Sequence, residues 1–454
     1  MASSLPTIIF ACLAVLMSFL RRYKPFRNWA ASLMQHSLSD YLLPSKQLVV
    51  ATPDFKICKT APCFETSEST TLYELTQCLA QLQEYSVRAQ RQNATIFNRT
   101  KELDEIHIEQ LRELEYFSKI KEVNKCIEAN HSVLKAVISH ILEKIVRANF
   151  KNTEDEALPD QLKTICAELG YTLNNDGSLK FVSEQVVLAA SPSNQNRVNE
   201  AIGHLCRDWS SGFLCEREPL IEFICKSLNH PSVDSGKRTL IVIPGAGAGQ
   251  IPYSTAKKFP NFDVVSIELS PLMYVFNEFA LDHGTDVGIR PFCQHYSGSS
   301  SVQSQTRKFN VQLTGIKRPS NLTVHWGNFL QYTTNGQKYD QVIVCTAFFI
   351  DTAENLFEYI KAIESLSDCC DELQWINIGP LKYETRPLVQ FTADELRQLR
   401  ELRGWRDIVE ERVTDYKSGL NGYMTDRESL YQGYYGLLKF HTRFQKEKNT
   451  IRDD

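Results

Sequence analysis

Apolar residues recur at helical spacing between residues 70 and 150, and Leu75, Leu79 and Leu82 are examples near the start of this pattern. Glu, Lys and Arg occupy the positions between them, as expected for the solvent-facing side of an amphipathic helix. The segment contains no internal repeat and no heptad run long enough for a coiled coil. We therefore predict an antiparallel helical subdomain, and a second helical pattern follows over residues 193–226.

From residue 240 onward the pattern changes to short apolar runs that alternate with helical segments. The runs that predict strands cover residues 240–243, 263–267, 322–324, 338–345, 373–378, 407–413 and 434–440. Strands that alternate with helices favour a mostly parallel sheet, whereas the last two runs lack a helical crossover and indicate an antiparallel edge. The predicted fold is α/β: a Rossmann-like, seven-stranded mixed sheet, similar to that of class I methyltransferases, with an N-terminal α-helical domain.

These patterns divide the chain into successive segments. They are an apolar leader at 1–40, a linker rich in Pro, Ser and Thr at 41–70, a mainly helical domain at 71–230, the sheet domain at 231–445 with an insertion at 284–321, and a tail at 446–454. Helices are predicted in the sheet domain at 251–259, 352–366 and 392–403. Thr392, with Glu395 three residues later, forms the capping box expected at the start of the last helix.

The leader contains an apolar run from Leu5 to Leu20, and Arg21 and Arg22 follow it directly. The run falls short of the roughly 18 apolar residues that a membrane-spanning helix needs. A membrane anchor or membrane-surface helix and an unstructured or packed leader are therefore both open. Basic residues behind such a run keep the C-terminal bulk on the cytoplasmic side of a membrane. We expect a cytoplasmic protein in either case, and a nuclear location is also open.

Composition narrows the range of partners and ligands. The net charge of −4 gives no reason to expect nucleic acid as a partner. The chain has 13 cysteines, but their odd number and scatter do not suggest a disulfide framework, and no CxxC pair indicates zinc. We expect reduced thiols, as in an intracellular protein, and no metal site. Whether the chain forms a homodimer is left open.

A glycine-rich turn follows the first predicted strand of the sheet, with Gly245, Gly247 and Gly249 directly after Pro244. Glycines at such a turn let the backbone approach a ligand closely, and the next helix would face that ligand with its amide end. The nicotinamide fingerprint GxGxxG fails because Gln250 holds its sixth position. The turn therefore favours S-adenosylmethionine as the cofactor, and a nicotinamide-dependent dehydrogenase is a distant alternative.

The second predicted strand of the sheet leads into an acid, Glu268, which lies 23 residues after Gly245. A ribose-binding carboxylate is expected roughly 20 residues after the turn, where it can accept hydrogen bonds from both ribose hydroxyls. The alternative is an acid at a strand end that contacts only solvent.

Four further stretches occur in a fixed order: RDWS at 207–210, PGAG at 244–247, FFIDTAEN at 348–355 and WINIGPL at 375–381. Together they make residues 70–444 similar to the carnosine N-methyltransferase family. The resemblance implies an S-adenosylmethionine-dependent N-methyltransferase that methylates an imidazole nitrogen of carnosine or of another histidine-containing (di)peptide. The alternative is a cofactor-binding paralogue that is catalytically weak or differently specific and has a regulatory role.

The resemblance also implies which residues form the site. Those expected to contact the cofactor are Arg207, Trp209, Gly245, Gly247, Glu268, Asn328, Phe329 and Cys345. Those expected to bind the substrate are Asp351, Tyr383, Glu384, Tyr434 and Tyr435, and the expected catalytic residues among them are Asp351, Tyr435 and Glu384.

An acid at position 351 suits methyl transfer to an imidazole. Neutral imidazole has one N–H group and one nitrogen lone pair. A carboxylate that accepts the N–H fixes the tautomer, directs the other nitrogen to the methyl group and stabilises the positive charge that develops on the ring. Asp351 can instead be a helix cap, because Asp351 and Glu354 also have capping-box spacing.

Several positions depart from the pattern of the family. Glu384 stands where the family has histidine, Lys382 where it has leucine, and Asn328 where it usually has aspartate. Gly433 replaces one tyrosine of a run of three, and the other two are Tyr434 and Tyr435. The chain is therefore expected to be a diverged member whose cofactor site is better kept than its substrate site.

Overall fold

The computed structural model describes residues 69–150, 157–182, 188, 194–383, 386–417 and 419–445. Apart from Leu188, these residues belong to one compact unit that consists of Val50–Val186 and Ser193–Asp454. The predicted leader, most of the linker, the tail and Glu384 lie outside the described residues. Within them, no helix is both long enough and apolar enough to cross a membrane.

Three helices come first, as the apolar pattern predicts. They are α1 (Ser69–Arg99), α2 (Glu105–Glu113) and α3 (Tyr116–Phe150). The apolar stripe of α1, which includes Leu75, Leu79 and Leu82, is fully buried in the contact with α3. The elements that follow are α4 (Ala157–Glu168), the hairpin of β1 (Tyr171–Leu173) and β2 (Leu179–Phe181), α5 (Asn194–Trp209) and α6 (Leu214–Leu228).

The remaining elements are strands and helices, which alternate at first and end in four successive strands. In chain order they are β3 (Thr239–Pro244), α7 (Gln250–Lys258), β4 (Asp263–Glu268), α8 (Pro271–Asp282), β5 (Val287–Ile289), α9 (Val302–Thr306), β6 (Phe309–Val311), β7 (Leu322–Trp326), β8 (Tyr339–Ala347), α10 (Leu356–Ser365), β9 (Cys370–Gly379), α11 (Ala393–Leu402), β10 (Trp405–Val413), β11 (Asn421–Gly422), β12 (Tyr434–Tyr435) and β13 (Leu437–Phe444). The predicted capping box of Thr392 and Glu395 is present at the start of α11.

Seven of the strands form the main sheet, in the order β10-β13-β9-β8-β3-β4-β7. Strands β9, β8, β3, β4 and β7 are parallel, and β13 runs antiparallel to both β9 and β10. The predicted seven-stranded mixed sheet of a class I methyltransferase, with its antiparallel edge, is therefore confirmed. One predicted strand is wrong in its extent: Tyr434 and Tyr435 do not begin the last strand of the sheet but pair separately with β11.

Both faces of the main sheet are buried, which explains the continuous apolar runs of its central strands. Successive side chains of a strand point to opposite faces. Accordingly, Ile241 and Ile243 pack in one apolar core together with residues of α1 and α3, whereas Leu240 and Val242 pack in a second core on the other face. The carboxyl ends of the parallel strands meet at one edge, where ligands bind in open α/β sheets.

The predicted insertion at 284–321 forms the β5/β6 hairpin and α9. Asn130 of α3 holds this segment: its Oδ1 accepts the N–H of Arg290 (2.8 Å), and its Nδ2 donates to the Arg290 carbonyl (3.1 Å). Helices and sheet share one apolar core. The predicted boundary between a helical domain and a sheet domain at residue 230 remains a prediction.

Candidate active site

The glycine-rich turn lies between β3 and α7, at the carboxyl edge of the sheet. Gly245, Gly247 and Gly249 have φ angles of +66°, +56° and +94°, a region that other residues resist. A Cβ atom on Gly245 would lie 2.5 Å from the Phe349 ring, and one on Gly249 would lie 2.4 Å from Oδ1 of Asn277. The turn therefore requires glycine both for its backbone conformation and for the space around it.

Glu268 lies at the end of β4, directly beside this turn. One carboxylate oxygen accepts the N–H of Gly247 and the other accepts the N–H of Ser270, both at 2.8 Å. Burial raises the pKa of Glu268 to about 7, although these amide hydrogen bonds act in the opposite direction. The alternative of an acid that contacts only solvent is wrong, because only 7% of Glu268 is exposed. Its oxygens have further lone pairs that can accept hydrogen bonds from the hydroxyl groups of a ligand.

The end of α5 closes the other side of the turn. Trp209 donates its indole N–H to the carbonyl of Ala248 (2.8 Å). Burial raises the pKa of Asp208, and the N–H groups of Gln250 and Ala248, together with nearby arginines, oppose that rise. The Asp208 carboxylate thus lies against the amide end of α7.

This contact bears on the choice of cofactor. In a nicotinamide Rossmann domain the pyrophosphate binds at the amide end of the first helix. The chain places its own buried carboxylate, Asp208, at that end of α7. A pyrophosphate would meet the Asp208 carboxyl group there, so the geometry disfavours a dinucleotide. The expectation that the amide end of this helix faces the ligand remains a prediction.

Three nitrogen atoms on α5 are buried and have no hydrogen-bond partner among the described residues: Nδ1 of His204, and Nε and Nη2 of Arg207. Of these, Nε of Arg207 lies 3.6 Å from the Glu216 carboxylate. The guanidinium group of Arg207 lies 4.4 Å from the centre of the Tyr423 ring, and Nε2 of His204 is 2.9 Å from the Tyr423 hydroxyl. A Cβ atom on Gly247 would lie 3.3 Å from Nδ1 of His204. Unpaired buried donors beside a cation suit an anionic ligand group such as a carboxylate.

His204 is neutral in this setting, because burial first, and then the nearby Arg207 charge, lower its pKa to about 3. If the Tyr423 hydroxyl donates to Nε2, the single N–H of the ring lies on Nδ1, beside the turn. Sequence reasoning missed both His204 and Tyr423. The spacing of three residues between His204 and Arg207, which places them on one helix face, could have indicated the first; no local pattern indicates Tyr423.

A second group of predicted site residues lies in and around the segment after β8. Phe348 has a φ angle of +51°, and its N–H donates to the carbonyl of Ile378 (3.0 Å). Asp351 follows in a short 3-10 turn and is only 8% exposed. The alternative of Asp351 as a helix cap is wrong, because Asn355 caps α10 by accepting the N–H of Phe357 (3.1 Å).

Two predicted substrate residues approach this segment and one does not. Burial raises the pKa of Tyr383, and the charge of Asp351 raises it further, while the Tyr383 hydroxyl accepts the N–H of Phe391 (3.3 Å). The ring of Tyr435 lies 6.0 Å from that of Phe348. By contrast, Tyr434 is 37% exposed and donates its hydroxyl to Gln432 (2.8 Å).

The other predicted cofactor residues have different surroundings. Asn328 caps a 3-10 turn by accepting the N–H of Leu330 (3.0 Å), and the buried Phe329 ring lies 6.0 Å from that of Phe349. Cys345 is fully buried in the apolar core, and this burial raises the pKa of its thiol. Cys345 lies two residues before the end of β8, and its contact with the cofactor remains a prediction.

Comparison with known protein families shows the family to which the chain belongs. The sequence model described as carnosine N-methyltransferase matches residues 184–446, which is more than half of the chain. This chain belongs to the carnosine N-methyltransferase family. The match includes the glycine-rich turn, Glu268 and Asp351, so these three belong to the part of the chain that the family shares.

The relatives differ in how much they resemble the chain. The uncharacterized protein YMR209C of Saccharomyces cerevisiae is 42% identical over 98% of this chain and 100% of that protein. The carnosine N-methyltransferase of Schizosaccharomyces pombe is 25% identical over 56% of this chain and 72% of its own length. That of Mus musculus is 22% identical over 71% of this chain and 74% of its own. The chain is therefore a diverged member of the family.

Solved structures give weaker similarity. A methyltransferase from Aquifex aeolicus described as SAM-dependent is 15% identical, with a TM-score of 0.32 over 54% of this chain and 98% of that one. The glycopeptide N-methyltransferase MtfA, complexed with S-adenosylmethionine, is 10% identical, with a TM-score of 0.30 over 50% of this chain and 93% of that one. Similarity at this level does not decide the cofactor or the acceptor.

Proposed function

We propose that this member of the carnosine N-methyltransferase family uses S-adenosylmethionine to methylate an imidazole nitrogen of carnosine or of another histidine-containing (di)peptide. The observation that carries the proposal is the close group formed by the glycine-rich turn, the buried Glu268 and the cationic Arg207. A class I methyltransferase sheet places this group at the edge where ligands bind.

The residues of the turn fit this cofactor. Gly245 and Gly247 let the backbone approach the ligand, and Glu268 would accept the ribose hydroxyl groups. Arg207 and His204 would hold the carboxylate of its amino-acid part with their unpaired nitrogen atoms. When bound, the cofactor supplies a methyl group on a positively charged sulfur.

The acceptor side fits an imidazole. The buried carboxylate of Asp351 would accept the imidazole N–H, fix the tautomer and stabilise the charge that develops on the ring. Tyr383 and Tyr435 would restrict the orientation of the ring, and most of the rate would come from this positioning. Histidine-containing dipeptides supply the required ring, and Lys382, whose Nζ lies 5.4 Å from the centre of the Tyr435 ring, supplies a cation nearby.

A second candidate is a paralogue that binds the cofactor but is catalytically weak or specific for another acceptor. The specific observation in its favour is the space at Gly433, where the family has a tyrosine: an added Cβ atom would meet no described atom within 4 Å. Without a tyrosine side chain at this position, the site would hold a small acceptor less firmly. Glu384, which replaces a histidine of the family, lies outside the described residues.

Methyl transfer tests the proposal directly. The full chain is incubated with methyl-labelled S-adenosylmethionine and with carnosine, other histidine dipeptides or longer histidine peptides, and mass spectrometry locates the label. We expect the label on an imidazole nitrogen. Tight cofactor binding without transfer to any imidazole would overturn the acceptor, and absence of cofactor binding would overturn the whole proposal.

The cellular location is also a proposal. We propose a cytoplasmic protein whose leader at residues 1–40 decides whether it associates with membranes. Fractionation of the tagged protein with and without these residues tests this: a membrane fraction that disappears on truncation supports an anchor, and an unchanged distribution contradicts it. Sedimentation of the purified chain would decide whether it forms a homodimer.

A further inference from the structure

Glu216 of α6 joins two distant parts of the chain. Its side chain is buried, with 2% exposed. One carboxylate oxygen accepts the N–H of Met424 (2.8 Å), and the other accepts the N–H of Thr425 (2.9 Å). The Glu216 carbonyl also accepts a hydrogen bond from the side-chain amide of Asn421 (3.0 Å). Residues 421–425, which we name the anchored segment, are therefore held to α6 by one residue.

The backbone of the anchored segment is shaped for this contact. Met424 has a φ angle of +55°, a conformation that is strained for a residue with a side chain. An added Cβ atom on Gly422 would lie 2.6 Å from the nearer carboxylate oxygen of Glu216, so glycine is needed for the approach. Hydrogen bonds from amides to a carboxylate are among the stronger ones in proteins, and two of them offset the strain.

The anchored segment forms part of the cofactor side of the site through Tyr423. The Tyr423 hydroxyl is 2.9 Å from Nε2 of His204, and its ring lies 4.4 Å from the Arg207 guanidinium. The same Glu216 carboxylate lies 3.6 Å from Nε of Arg207. Glu216 thus contacts the cation that the proposed cofactor carboxylate requires, and it also fixes the ring that covers this cation.

The anchored segment also reaches the acceptor side. In the β11/β12 pair, Asn421 lies opposite Tyr435. The ring of Tyr423 stacks on Phe348 at 5.2 Å, and Tyr435 meets the same ring at 6.0 Å. Movement of the anchored segment would therefore displace side chains on both sides of the site.

We propose that Glu216 is a positioning residue that holds the anchored segment across the site and thereby aligns the cofactor side with the acceptor side. It acts through Arg207, Tyr423 and Tyr435, and it does not itself meet the reacting atoms. This inference rests on the proposed function for its effect on binding, but the anchoring can be measured without any ligand.

The test uses the full chain with Glu216→Gln, which keeps the size of the side chain and loses its charge. Glu218→Gln is the matched control, because Glu218 lies on the same helix and is exposed. We expect amide hydrogen exchange in residues 421–425 to rise about tenfold or more in Glu216→Gln and to stay unchanged in Glu218→Gln. The dissociation constant of S-adenosylhomocysteine and the KM of the acceptor should both rise about tenfold, since each side loses alignment.

A second variant, Gly422→Ala, leaves Glu216 in place and pushes its carboxylate away from the anchored segment. It should reproduce the faster exchange and the weaker binding even if Glu216→Gln does not fold. Unchanged exchange in residues 421–425 of either folded variant would overturn the inference. If the unaltered chain binds no S-adenosylhomocysteine, the proposed function fails, and the exchange of residues 421–425 alone then decides whether Glu216 anchors the segment.

Discussion

The two sides of the site are built in different ways. On the cofactor side, the carboxylate of Glu268 at a strand end and the indole of Trp209 at a helix end both bond to the turn between β3 and α7, each at 2.8 Å. On the proposed acceptor side, Asp351 lies in a short 3-10 turn, Tyr383 in the loop after β9, and Tyr435 in the two-residue strand β12. Long regular elements fix the first group, whereas the second depends mostly on loops and short elements, which tolerate change more readily. Lys382 and Gly433, two of the positions that depart from the family pattern, lie next to the proposed acceptor residues, as expected for the less constrained side.

The variant with the largest expected effect separates the two sides completely. Asp351→Asn keeps the shape of the side chain but removes the charge that stabilises the imidazole ring during transfer. We expect the kcat of methyl transfer to fall roughly 100-fold or more, while the dissociation constant of the cofactor stays unchanged. Asp371→Asn, at an exposed position near the start of β9, is the control. Equal loss of cofactor affinity would show that the two sides are not separable.

Gly245→Ala should disrupt the glycine-rich turn on the proposed cofactor side of the site. The new Cβ atom would lie 2.5 Å from the Phe349 ring at a φ angle of +66°. Strain and overpacking together cost about 2–4 kcal/mol, so we expect cofactor affinity to fall roughly 30-fold or more. Calorimetric titration and thermal unfolding measure the two effects.

Gly284→Ala is the matched control for this variant. Its φ angle is +70°, but an added Cβ atom meets no described atom within 4 Å. It should therefore lose about 1 kcal/mol of stability from backbone strain alone and keep its cofactor affinity. If Gly245→Ala binds the cofactor as tightly as Gly284→Ala does, the glycine-rich turn is not part of the cofactor site.

Glu268→Gln sharpens the comparison with a smaller change. The amide keeps one acceptor oxygen, but the second oxygen becomes a donor that faces an N–H group of the turn. We expect cofactor affinity to fall roughly tenfold, the usual effect of losing a hydrogen bond to a charged group. Methyl transfer at saturating cofactor should be nearly unchanged, and a large fall in kcat there would contradict a role confined to the cofactor side.

Glu268 should make both fold stability and cofactor affinity depend on pH. The change in cofactor affinity with pH is the smallest effect predicted. The pKa of Glu268 is raised to about 7 in the folded chain, from 4.5. A carboxyl group whose pKa is raised on folding stabilises the fold at low pH, and this contribution is lost as pH rises from about 4.5 to 7. A change of this size corresponds to about 3 kcal/mol.

Cofactor affinity should change in the opposite direction. Ribose hydroxyl groups donate to the ionised carboxylate, so affinity should rise several-fold to tenfold between about pH 5.5 and 7.5. Titration of S-adenosylhomocysteine into the unaltered chain and into Glu268→Gln measures this without the acceptor, whose imidazole titrates in the same range. A rise of equal size in Glu268→Gln would assign the pH dependence to another group.

Sequence patterns predicted most of the fold because burial determines them. The central strands are buried on both faces, so their apolar runs and the glycine turn after Pro244 could be recognised directly. The alternative of Asp351 as a helix cap failed because Asn355, and not Asp351, bonds to the first turn of α10. Local spacing predicts that a cap exists but not which of two polar residues forms it.

The rest of the site could not be read from local patterns, because distant packing creates it. Tyr423 contacts Arg207 from the anchored segment. This segment lies more than 200 residues after Glu216 in the chain, and Glu216 holds it. Tyr434 was expected at the acceptor, but strand pairing with β11 leaves it exposed while Tyr435 meets Phe348. A pair of adjacent tyrosines does not indicate which of the two faces inward.

A crystal structure of the full chain with S-adenosylhomocysteine and carnosine tests the central claim most directly. We expect ribose hydroxyl groups to bind Glu268, the carboxylate of the cofactor to bind Arg207, and an imidazole N–H to lie within hydrogen-bond distance of the Asp351 carboxylate. The second imidazole nitrogen should face the sulfur atom that carries the methyl group in the donor. A ribose bound away from Glu268, or an imidazole with no contact to Asp351, would contradict the account.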